Sequence, residues 1–503
     1  MCGIVAAYGQ LSSLTGQQML ERIAHRGPDG EGVTEIGRSW LGHRRLAIVD
    51  VDGGEQPLRS HDGNAALTGN GEIYNHAELR GDFGPGQFLT RSDNEVALAL
   101  FARDGLEGLR RLRGMFALAV ATDDGRFVAV RDPLGIKPLY WAQRAGTTLF
   151  ASELKAFPVA WRPLVGEFPP GHAWTPEQGL ERLYDEPQAT GPAFDAREEP
   201  DGAVADLIRE ALVAAVRRRL MGDVPVGVFL SGGLDSSLIA AIAVEAARRE
   251  GKQVQSFAVG LEGSADILAA RRVAAHLGTT HHENVYRTEE LLAALPDAIS
   301  CIESFDPMLV HSAVPNYLLA KFTSAHVKVV LTGEGADELF AGYDHHREIA
   351  SPTVLHQTLV DEVGGLHNLN LQRCDRVTMA HGLEARVPFL DVAMVELALS
   401  LPARWKQPTP DRAEKWLLRR AFDGWLPDDL LWRRKEQFGD GSGASDVLRD
   451  VAEASVPAEV HRCERDRANP PLRSREETAY WRIFSDHLDG VPVHDTIGRF
   501  AVA

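Results

Sequence analysis

The stretch that decides the fold of the second half of this chain is GVFLSGGLDSS, residues 227–237. An apolar run over residues 224–230 predicts a buried strand, and residues 236–247 predict an apolar helix. Between them, Ser231, Gly232 and Gly233 let successive amide N–H groups point into one concavity. The helix that follows adds its positive N-terminal end. We predict that this loop binds pyrophosphate-like anions.

The chemistry of this loop follows from what it contains and what it lacks. The lysine of a GxxxxGK[ST] loop is absent, so transfer of a γ-phosphate is not expected. A loop that grips the terminal phosphates as a leaving group implies attack at the α-phosphate. Asp235 and Ser236 stand at the helix start, where a carboxylate could hold Mg²⁺ and a hydroxyl could donate to phosphate. We therefore predict adenylation with release of pyrophosphate.

The surrounding pattern predicts two domains that differ in their order of strands and helices. Strands at 254–259 and 326–331, with a helix at 266–277, indicate a parallel doubly wound sheet. The chain beyond about residue 355 reads as mostly helical. The first half has short strand-like runs and two helical segments, which favours packed sheets with helices. Predicted strands cover 3–8, 40–49, 65–67, 115–122, 127–131 and 148–152, and predicted helices cover 17–23 and 94–103. The Pro-rich and acidic stretch 185–202 is the predicted linker.

Composition limits the classes of partner. A net charge of −18 argues against nucleic acid and against an anionic membrane surface. The four cysteines lie far apart with no CxxC pair, which favours a reducing compartment over a disulfide framework or a zinc site. No apolar run approaches the roughly 18 to 20 residues that span a bilayer. We expect a cytoplasmic protein with small-molecule substrates, and leave a homodimer open.

Cys2 is the second informative position. Removal of Met1 is expected and would place a thiol beside its own free α-amine. These two groups on one residue form a nucleophile and its base, without a separate catalytic histidine.

Both halves contain long motifs of one known family. MCGIVAAYG (1–9), HRGPDGEG (25–32), HRRLAIVDV (43–51), GNGEIYNH (69–76) and RSDNEV (91–96) resemble an N-terminal-nucleophile glutaminase domain. FLSGGLDSS (229–237), TGEGADELFAGY (332–343), GLEARVPFLD (382–391) and WRRKEQFGDG (432–441) resemble the synthetase domain of the asparagine synthetase B family. The resemblance implies an α/β protein, with an αββα sandwich over 2–184 and an ATP-pyrophosphatase domain with a helical C-terminal part over 203–503.

The resemblance also implies two reactions joined by an internal ammonia tunnel. Cys2 would attack the side-chain amide of glutamine, with Asn70 and the N–H of Gly71 holding the oxyanion. Asp93 would bind the ammonium of glutamine, and Arg45 its carboxylate. The remaining pocket residues would be Leu46, Ala47, Ile48, Val49 and Glu72.

In the second domain, the resemblance implies that ATP lies against Leu230 and Val259, with Thr332 and Gly333 also in contact. Glu334 would act around the acyl-adenylate, as general base for ammonia. Lys435 would neutralise charge on the phosphates, and Asp235 would hold Mg²⁺. The role of Asp337 and Glu338 stays open between helix-start carboxylates and metal ligands.

One stretch departs from the family pattern. Members that use aspartate typically have a threonine pair and an arginine after Glu-x-x-Asp. This chain has Met308, Leu309 and His311 there. Histidine is a poorer permanent partner for a carboxylate than arginine. We expect asparagine formation, with amidation of a larger carboxylate in a pocket lined by these residues as the alternative.

Other functions are less well supported by the residues. Ring closure of the β-lactam-synthetase kind has no use for glutaminase chemistry, and a plain glutaminase has no use for an intact SGGLDSS loop. The pairs His281-His282 and His345-His346 are predicted to be polar surface or cleft residues, because no third ligand stands at metal spacing. Cys301 and Cys374 are expected to be buried.

Overall fold

The computed structural model describes residues 2–84, 86–187, 189, 194–195, 198–433 and 442–500. The first half contains two antiparallel sheets. Its strands are β1 Cys2–Tyr8, β2 Gly30–Ile36, β3 Ser39–Arg45, β4 Leu58–Arg59, β5 Ala65–Ile73, β6 Gly114–Thr122, β7 Phe127–Arg131, β8 Tyr140–Arg144, β9 Thr147–Ala151, β10 Gly166–Glu167, β11 His172–Thr175 and β12 Gly179–Arg182. One sheet has the order β10-β8-β9-β1-β3-β2, and the other has the order β12-β11-β7-β6-β5-β4.

The two sheets stack face to face with helices outside. Alternate residues of β1, such as Ile4 and Ala6, pack with Phe127 and Phe150 between the sheets. The other face of β1 packs against helix α1, Ser13–Glu21. Helix α3, Glu95–Asp104, covers the second sheet. The remaining helices of this half are α2 His76–Arg80 and α4 Leu106–Leu109. The predicted αββα sandwich is therefore confirmed.

The second half is built on a parallel sheet. Its strands are β13 Val226–Phe229, β14 Gln255–Gly260, β15 Thr280–Val285, β16 Val329–Leu331 and β17 Glu384–Arg386. Their order is β15-β14-β13-β16-β17, with parallel pairing throughout. The order reverses direction between β13 and β16. In doubly wound sheets, ligands bind beyond the carboxyl ends of the strands at such a switch point.

Helices surround this sheet and form most of the C-terminal part, as the sequence predicts. They are α5 Gly202–Arg218, α6 Leu234–Arg249, α7 Ala265–Leu277, α8 Thr288–Ile302, α9 Pro307–Thr323, α10 Ala336–Phe340, α11 Pro352–Gly365, α12 Asn370–Met379, α13 Val392–Ser400, α14 Ala403–Lys406, α15 Trp416–Ala421, α16 Asp428–Leu431, α17 Ser445–Ser455, α18 Ala458–Glu464, α19 Arg475–Leu488 and α20 Val493–Thr496. Short 3-10 helices cover Ala24–Arg26, Leu154–Ala156, Val159–Leu164, Asp344–Glu348, Leu366–Asn368, Pro388–Leu390 and Arg465–Arg467.

Two strand predictions miss an end by at least four residues, as 49 against Arg45 and 67 against Ile73 show. The strand predicted at 40–49 ends at Arg45, because residues 46–50 form a loop that bonds to the second half of the chain. The strand predicted at 65–67 extends to Ile73, since its polar residues are buried by pairing with β6. No helix in the described part of the chain is long and apolar enough to cross a membrane.

Candidate active site

Cys2 begins β1 and is buried, with 7% of its surface exposed. Its backbone N donates to Oδ1 of Asn70 at 2.9 Å, and its Sγ lies 4.0 Å from the carbonyl oxygen of Leu46. Burial raises the pKa of the Cys2 thiol. Because Oδ1 of Asn70 accepts from Cys2, its Nδ2 points elsewhere, and that buried donor has no partner among the described residues. A buried donor beside a thiol is what an oxyanion requires.

Gly71 follows Asn70 on β5 and cannot be replaced by a larger residue. Its φ is +137°, and an added Cβ would lie 1.9 Å from the carbonyl oxygen of Met115. The amide of Asn94 donates to the Gly71 carbonyl at 3.1 Å. The pairing of β5 with β6 thus fixes the backbone on which both predicted oxyanion donors lie.

The histidine that bonds to the backbone beside Asn70 is poorly suited to act as a base. His43 is buried on β3, and its Nε2 lies 3.1 Å from the Gly69 carbonyl oxygen, to which it donates. Burial lowers the pKa of His43 to about 3, so the ring stays neutral. A ring with so low a pKa is too weak a base to take the thiol proton of Cys2, which favours the α-amine in that role.

Two buried acids lie near the predicted oxyanion donors, Glu72 on β5 and Asp93 two residues before α3. Oδ2 of Asp93 accepts from the backbone N of Ile73 at 2.6 Å. Burial raises the pKa of Asp93, and burial together with Glu384 raises the pKa of Glu72 well above its ordinary value. An ammonium group bound between them would favour their ionised forms. Both residues therefore fit the predicted ammonium subsite.

Arg45 and the loop after it form one wall of this region. The guanidinium of Arg45 donates to the carbonyls of Asp50, at 2.7 Å, and Val51, at 3.0 Å. The backbone N of Ala47 donates to Asp29 at 2.8 Å. The backbone carbonyls of Asp50 and Val51 thus hold the guanidinium of Arg45 in place.

The glycine loop lies between β13 and α6, as predicted. Gly232 has a φ of +72°, and an added Cβ would lie 2.5 Å from Ala269. Ser231 and Ser236 bond through their hydroxyls at 3.1 Å, and Ser231 N donates to the Ser236 hydroxyl at 3.3 Å. Leu230 and Val259 are buried at the ends of β13 and β14.

The second predicted loop meets the first at the switch point. Thr332 and Gly333 follow β16, and a Cβ on Gly333 would lie 2.8 Å from Cβ of Asp235. Glu334 accepts from Arg373 of α12 at 2.7 Å. The structure therefore brings the predicted nucleotide residues and Glu334 to one edge of the sheet.

Lys415 joins this edge although the sequence analysis did not select it. Its Nζ lies 2.5 Å from Oδ2 of Asp235 and 2.8 Å from Oδ1 of Asp337. The side chain is 3% exposed, and the two carboxylates raise its pKa despite burial. Lys415 has a left-handed φ of +57°. Gly342 leaves space for the lysine side chain, since a Cβ at that position would lie 2.2 Å from Cε of Lys415. Asp337 thus shares a cation with Asp235.

Comparison with known proteins identifies the family. A glutamine amidotransferase domain model matches residues 1–163, and an asparagine synthase model matches residues 207–356 and 347–489. A glutamine-hydrolysing asparagine synthetase of Arabidopsis thaliana is 41% identical over 91% of this chain and 82% of its own length. A probable glutamine-hydrolysing asparagine synthetase of Schizosaccharomyces pombe is 39% identical over 99% of this chain and 96% of its own.

The chain belongs to the glutamine-hydrolysing asparagine synthetase family. The resemblance stated from its motifs is confirmed. Among solved structures, a glutamine phosphoribosylpyrophosphate amidotransferase from B. subtilis is 19% identical, with a TM-score of 0.34 over 56% of this chain and 81% of that one.

The stretch that departs from the family pattern starts helix α9. Asp306 caps the helix by accepting from Met308 N and Leu309 N at 3.0 and 3.3 Å. Leu309 is wholly buried, and half of Met308 is exposed. His311 lies 2.5 Å from Glu476 of α19. Among the described residues, no hydrogen bond or ion pair joins these side chains to Glu334. Lys435, the remaining member of the predicted synthetase site, lies outside the described residues.

The prediction for the second histidine pair is wrong in one respect. The ring nitrogens of His345 and His346 converge with Glu362, so a third metal-type ligand is present. The sequence could not show it, because Glu362 lies on the next helix. His346 is fully buried, and its Nδ1 accepts from the backbone N of Tyr343 at 3.2 Å. Its Nε2 then carries the proton and donates to Glu362, which makes the ring a poor metal ligand.

The TGEGADELFAGY motif (332–343) also contains a buried carboxylate, that of Glu338. Glu338 accepts from the Tyr343 hydroxyl at 2.5 Å. Burial, followed by the charge of Asp337, raises the pKa of Glu338 to about 7. Cys301 and Cys374 are buried as expected, and burial raises the pKa of each thiol to about 12.

Proposed function

We propose that this protein makes asparagine from aspartate, with ATP as the energy source and glutamine as the nitrogen donor. One observation carries the proposal. The thiol of Cys2 is buried beside an amide donor of Asn70 that has no partner among the described residues, while a glycine loop and Glu334 meet at the switch point of a parallel sheet. The family to which the chain belongs supports the same pair of reactions.

In the first reaction, Cys2 attacks the side-chain carbonyl of glutamine. The α-amine exposed by loss of Met1 takes the thiol proton and passes it to the departing ammonia. Asn70 Nδ2 and Gly71 N–H hold the oxyanion, each at about 3 to 4 kcal/mol. Water then cleaves the thioester to release glutamate. Arg45 binds the carboxylate of glutamine, and Asp93 with Glu72 binds its ammonium.

In the second reaction, the carboxylate of the acceptor attacks the α-phosphorus of ATP, and pyrophosphate leaves. Ammonia, delivered inside the protein from the first site, attacks the acyl-adenylate and displaces AMP. Glu334 accepts the proton that the ammonia loses, and Arg373 holds Glu334 in place. Lys435 neutralises charge on the phosphates.

A magnesium ion fits the residues at this edge. The carboxylates of Asp235 and Asp337 converge on one cation, the ammonium of Lys415. Carboxylate oxygens are the ligands that Mg²⁺ prefers. When bound, the ion would neutralise the departing phosphates. Asp235 and Asp337 would hold it.

Aspartate is the acceptor that the site supports best. Leu309 is buried and half of Met308 is exposed at the start of α9. The relatives of this chain are asparagine synthetases, which favours aspartate over a larger acid. The alternative is a larger carboxylate. We place the reaction in the cytoplasm, in keeping with the cysteine usage.

The experiment is an acceptor screen. Pyrophosphate, AMP and glutamate are measured with glutamine, ATP, Mg²⁺ and a panel of carboxylic acids that includes aspartate. We expect release with aspartate and an asparagine product. Release with a larger acid alone would replace aspartate as the acceptor. If none of the acids in the panel gives pyrophosphate release, the ligase function is contradicted. A cyclised product formed without any nitrogen donor would favour ring closure.

A further inference from the structure

The loop beside Cys2 is held in place by the second half of the chain. This loop, residues 46–50, carries the backbone of the predicted glutamine pocket. The nucleotide-binding half holds it at two points, one by direct hydrogen bonds and one through Asp29. Each point can be traced through hydrogen bonds between described residues.

The first point is Asp223, which lies just before β13. Its backbone N donates to the carbonyl of Ile48 at 2.9 Å, and its Oδ2 accepts from the backbone N of Asp50 at 2.8 Å. Asp50 has a left-handed φ of +50°, a conformation that a non-glycine residue keeps only when its surroundings fix it. Its carbonyl in turn accepts from Arg45 at 2.7 Å. Asp223 thus acts on the predicted carboxylate-binding arginine through a single intermediate residue.

The second point is Lys328, which lies just before β16. Its Nζ lies 2.7 Å from Oδ2 of Asp29, the same oxygen that accepts from the backbone N of Ala47 at 2.8 Å. Leu46 and Ile48 pack in one apolar cluster with Val329 of β16 and Met379 of α12. The loop is therefore supported by the polar contacts of Asp223 and Lys328 and by apolar packing against β16 and α12.

The two supporting residues share a position in the fold. Asp223 and Lys328 precede β13 and β16, which are neighbours in the sheet. The opposite ends of these strands carry Ser231 and Thr332 of the predicted nucleotide site. Eight residues separate Asp223 from Ser231, which corresponds to about 26 Å of extended chain. The same two strands thus meet the glutamine loop at one end and the nucleotide site at the other.

We propose that the synthetase half completes the glutamine pocket, with Asp223 as a positioning residue that sets the loop on which Arg45 depends. The inference rests on the proposed function, since it assigns residues to the hydrolysis of glutamine at Cys2. Asp223 touches no reacting atom. Its effect is on the affinity for glutamine and not on the chemistry at Cys2.

The test compares Asp223→Ala with Asp223→Asn. Asp223 is exposed, so neither change empties the core. The asparagine side chain keeps an oxygen that accepts from Asp50 N, and alanine does not. We expect Asp223→Ala to raise the KM for glutamine by about tenfold, the size of one lost hydrogen bond to a charged group, with kcat nearly unchanged. Asp223→Asn should stay near the wild-type KM.

Ammonia-dependent synthesis is measured on the same preparations and should be unchanged in both variants. An unchanged glutamine KM in Asp223→Ala would overturn the inference. So would an equal loss of glutamine-dependent and ammonia-dependent synthesis, which would mark a general structural role. Lys328→Met gives a second, independent variant, which should also raise the glutamine KM. If the wild-type protein releases no glutamate from glutamine, the proposed function itself fails.

Discussion

Arg26 and Asp375 form a buried ion pair between the two halves of the chain, with Nη1 of the arginine 2.8 Å from Oδ2 of the aspartate. The Nε of Arg26 donates to the carbonyl of Cys2 at 3.0 Å. Asp375 lies on α12, two residues after Arg373, the partner of Glu334. One helix thus supplies a partner to the neighbourhood of both reaction centres.

Replacement of Arg26 by methionine should destabilise the protein. The change leaves Asp375 and Glu153 buried without a cation that lies within 2.8 Å of each. Loss of one member of a buried pair costs about 3 to 5 kcal/mol. Urea unfolding followed by fluorescence would measure it. The double change Arg26→Met with Asp375→Leu should recover part of the loss, and a loss below about 1 kcal/mol in the single variant would contradict a structural ion pair.

Replacement of Cys2 by alanine should separate the two half-reactions. Glutamate release and glutamine-dependent synthesis should fall to background, because the only nucleophile proposed for the amide is gone. Synthesis from ammonia should persist at wild-type rates, since Glu334 and the glycine loop are untouched. Product assays with each nitrogen source measure both rates. Loss of both reactions would argue against two separate sites.

Replacement of Arg373 by methionine should impair the synthetase reaction alone. Glu334 would lose the cation that holds it at 2.7 Å, so the proposed base would no longer be positioned. We expect ammonia-dependent synthesis to fall at least about a hundredfold, as for a displaced general base. Arg373→Lys, which keeps the charge, is the matched control and should lose less. Glutamate release should not change, and a parallel loss there would instead indicate damage through α12.

Replacement of Lys415 by methionine should make the thermal stability of the protein depend on magnesium. Asp235 and Asp337 would lose the cation that they share, which costs stability at low ionic strength. Mg²⁺ binds such oxygen pairs, so it should raise the melting temperature of the variant more than that of the wild type. Pyrophosphate release should fall in the variant. An equal thermal shift in both proteins would speak against a shared cation position.

Lys406 predicts a pH dependence of stability. Its side chain is buried, and its Nζ donates a hydrogen bond to the carbonyl of Ala398 at 2.8 Å. Burial lowers the pKa of Lys406 to about 7. Between about pH 7 and its ordinary value of 10.5, the unfolded chain binds the proton and the folded chain does not. This group therefore adds stability as pH rises through that range, and its cost is complete below pH 7.

The variant Lys406→Met removes that cost. We expect it to be more stable than wild type at pH 6, with the difference shrinking as pH rises to 9. Denaturant midpoints at the two pH values would measure the change. A variant with the same pH slope as wild type would show that Lys406 is not the group responsible.

The sequence identified most of the residues at the two sites because they lie in short local motifs. Cys2, Asn70 and Gly71 need only their own strands, and Ser231 to Ser236 need only one strand, one turn and one helix. The parallel sheet of the second half followed in the same way from alternating strands and helices. The site residues that it selected keep their proposed roles as predictions.

The residues that it missed act across the fold. Lys415 follows no motif that separates it from other lysines, and it reaches Asp235 from 180 residues away. Asp223, Arg26 and Arg373 likewise have partners far along the chain. The acceptor stretch stays a prediction. Leu309 is buried and half of Met308 is exposed at the start of α9.

By itself, the sequence determined the order of the two halves, their fold class and the family to which the chain belongs. These properties depend on local periodicity and on motifs that read the same in any surroundings. Only the tertiary structure decided which cation neutralises Asp235 and what holds the glutamine loop. A buried charge takes its partner from whatever element packs against it, so pairs such as Arg26 with Asp375 exist only once the halves have met.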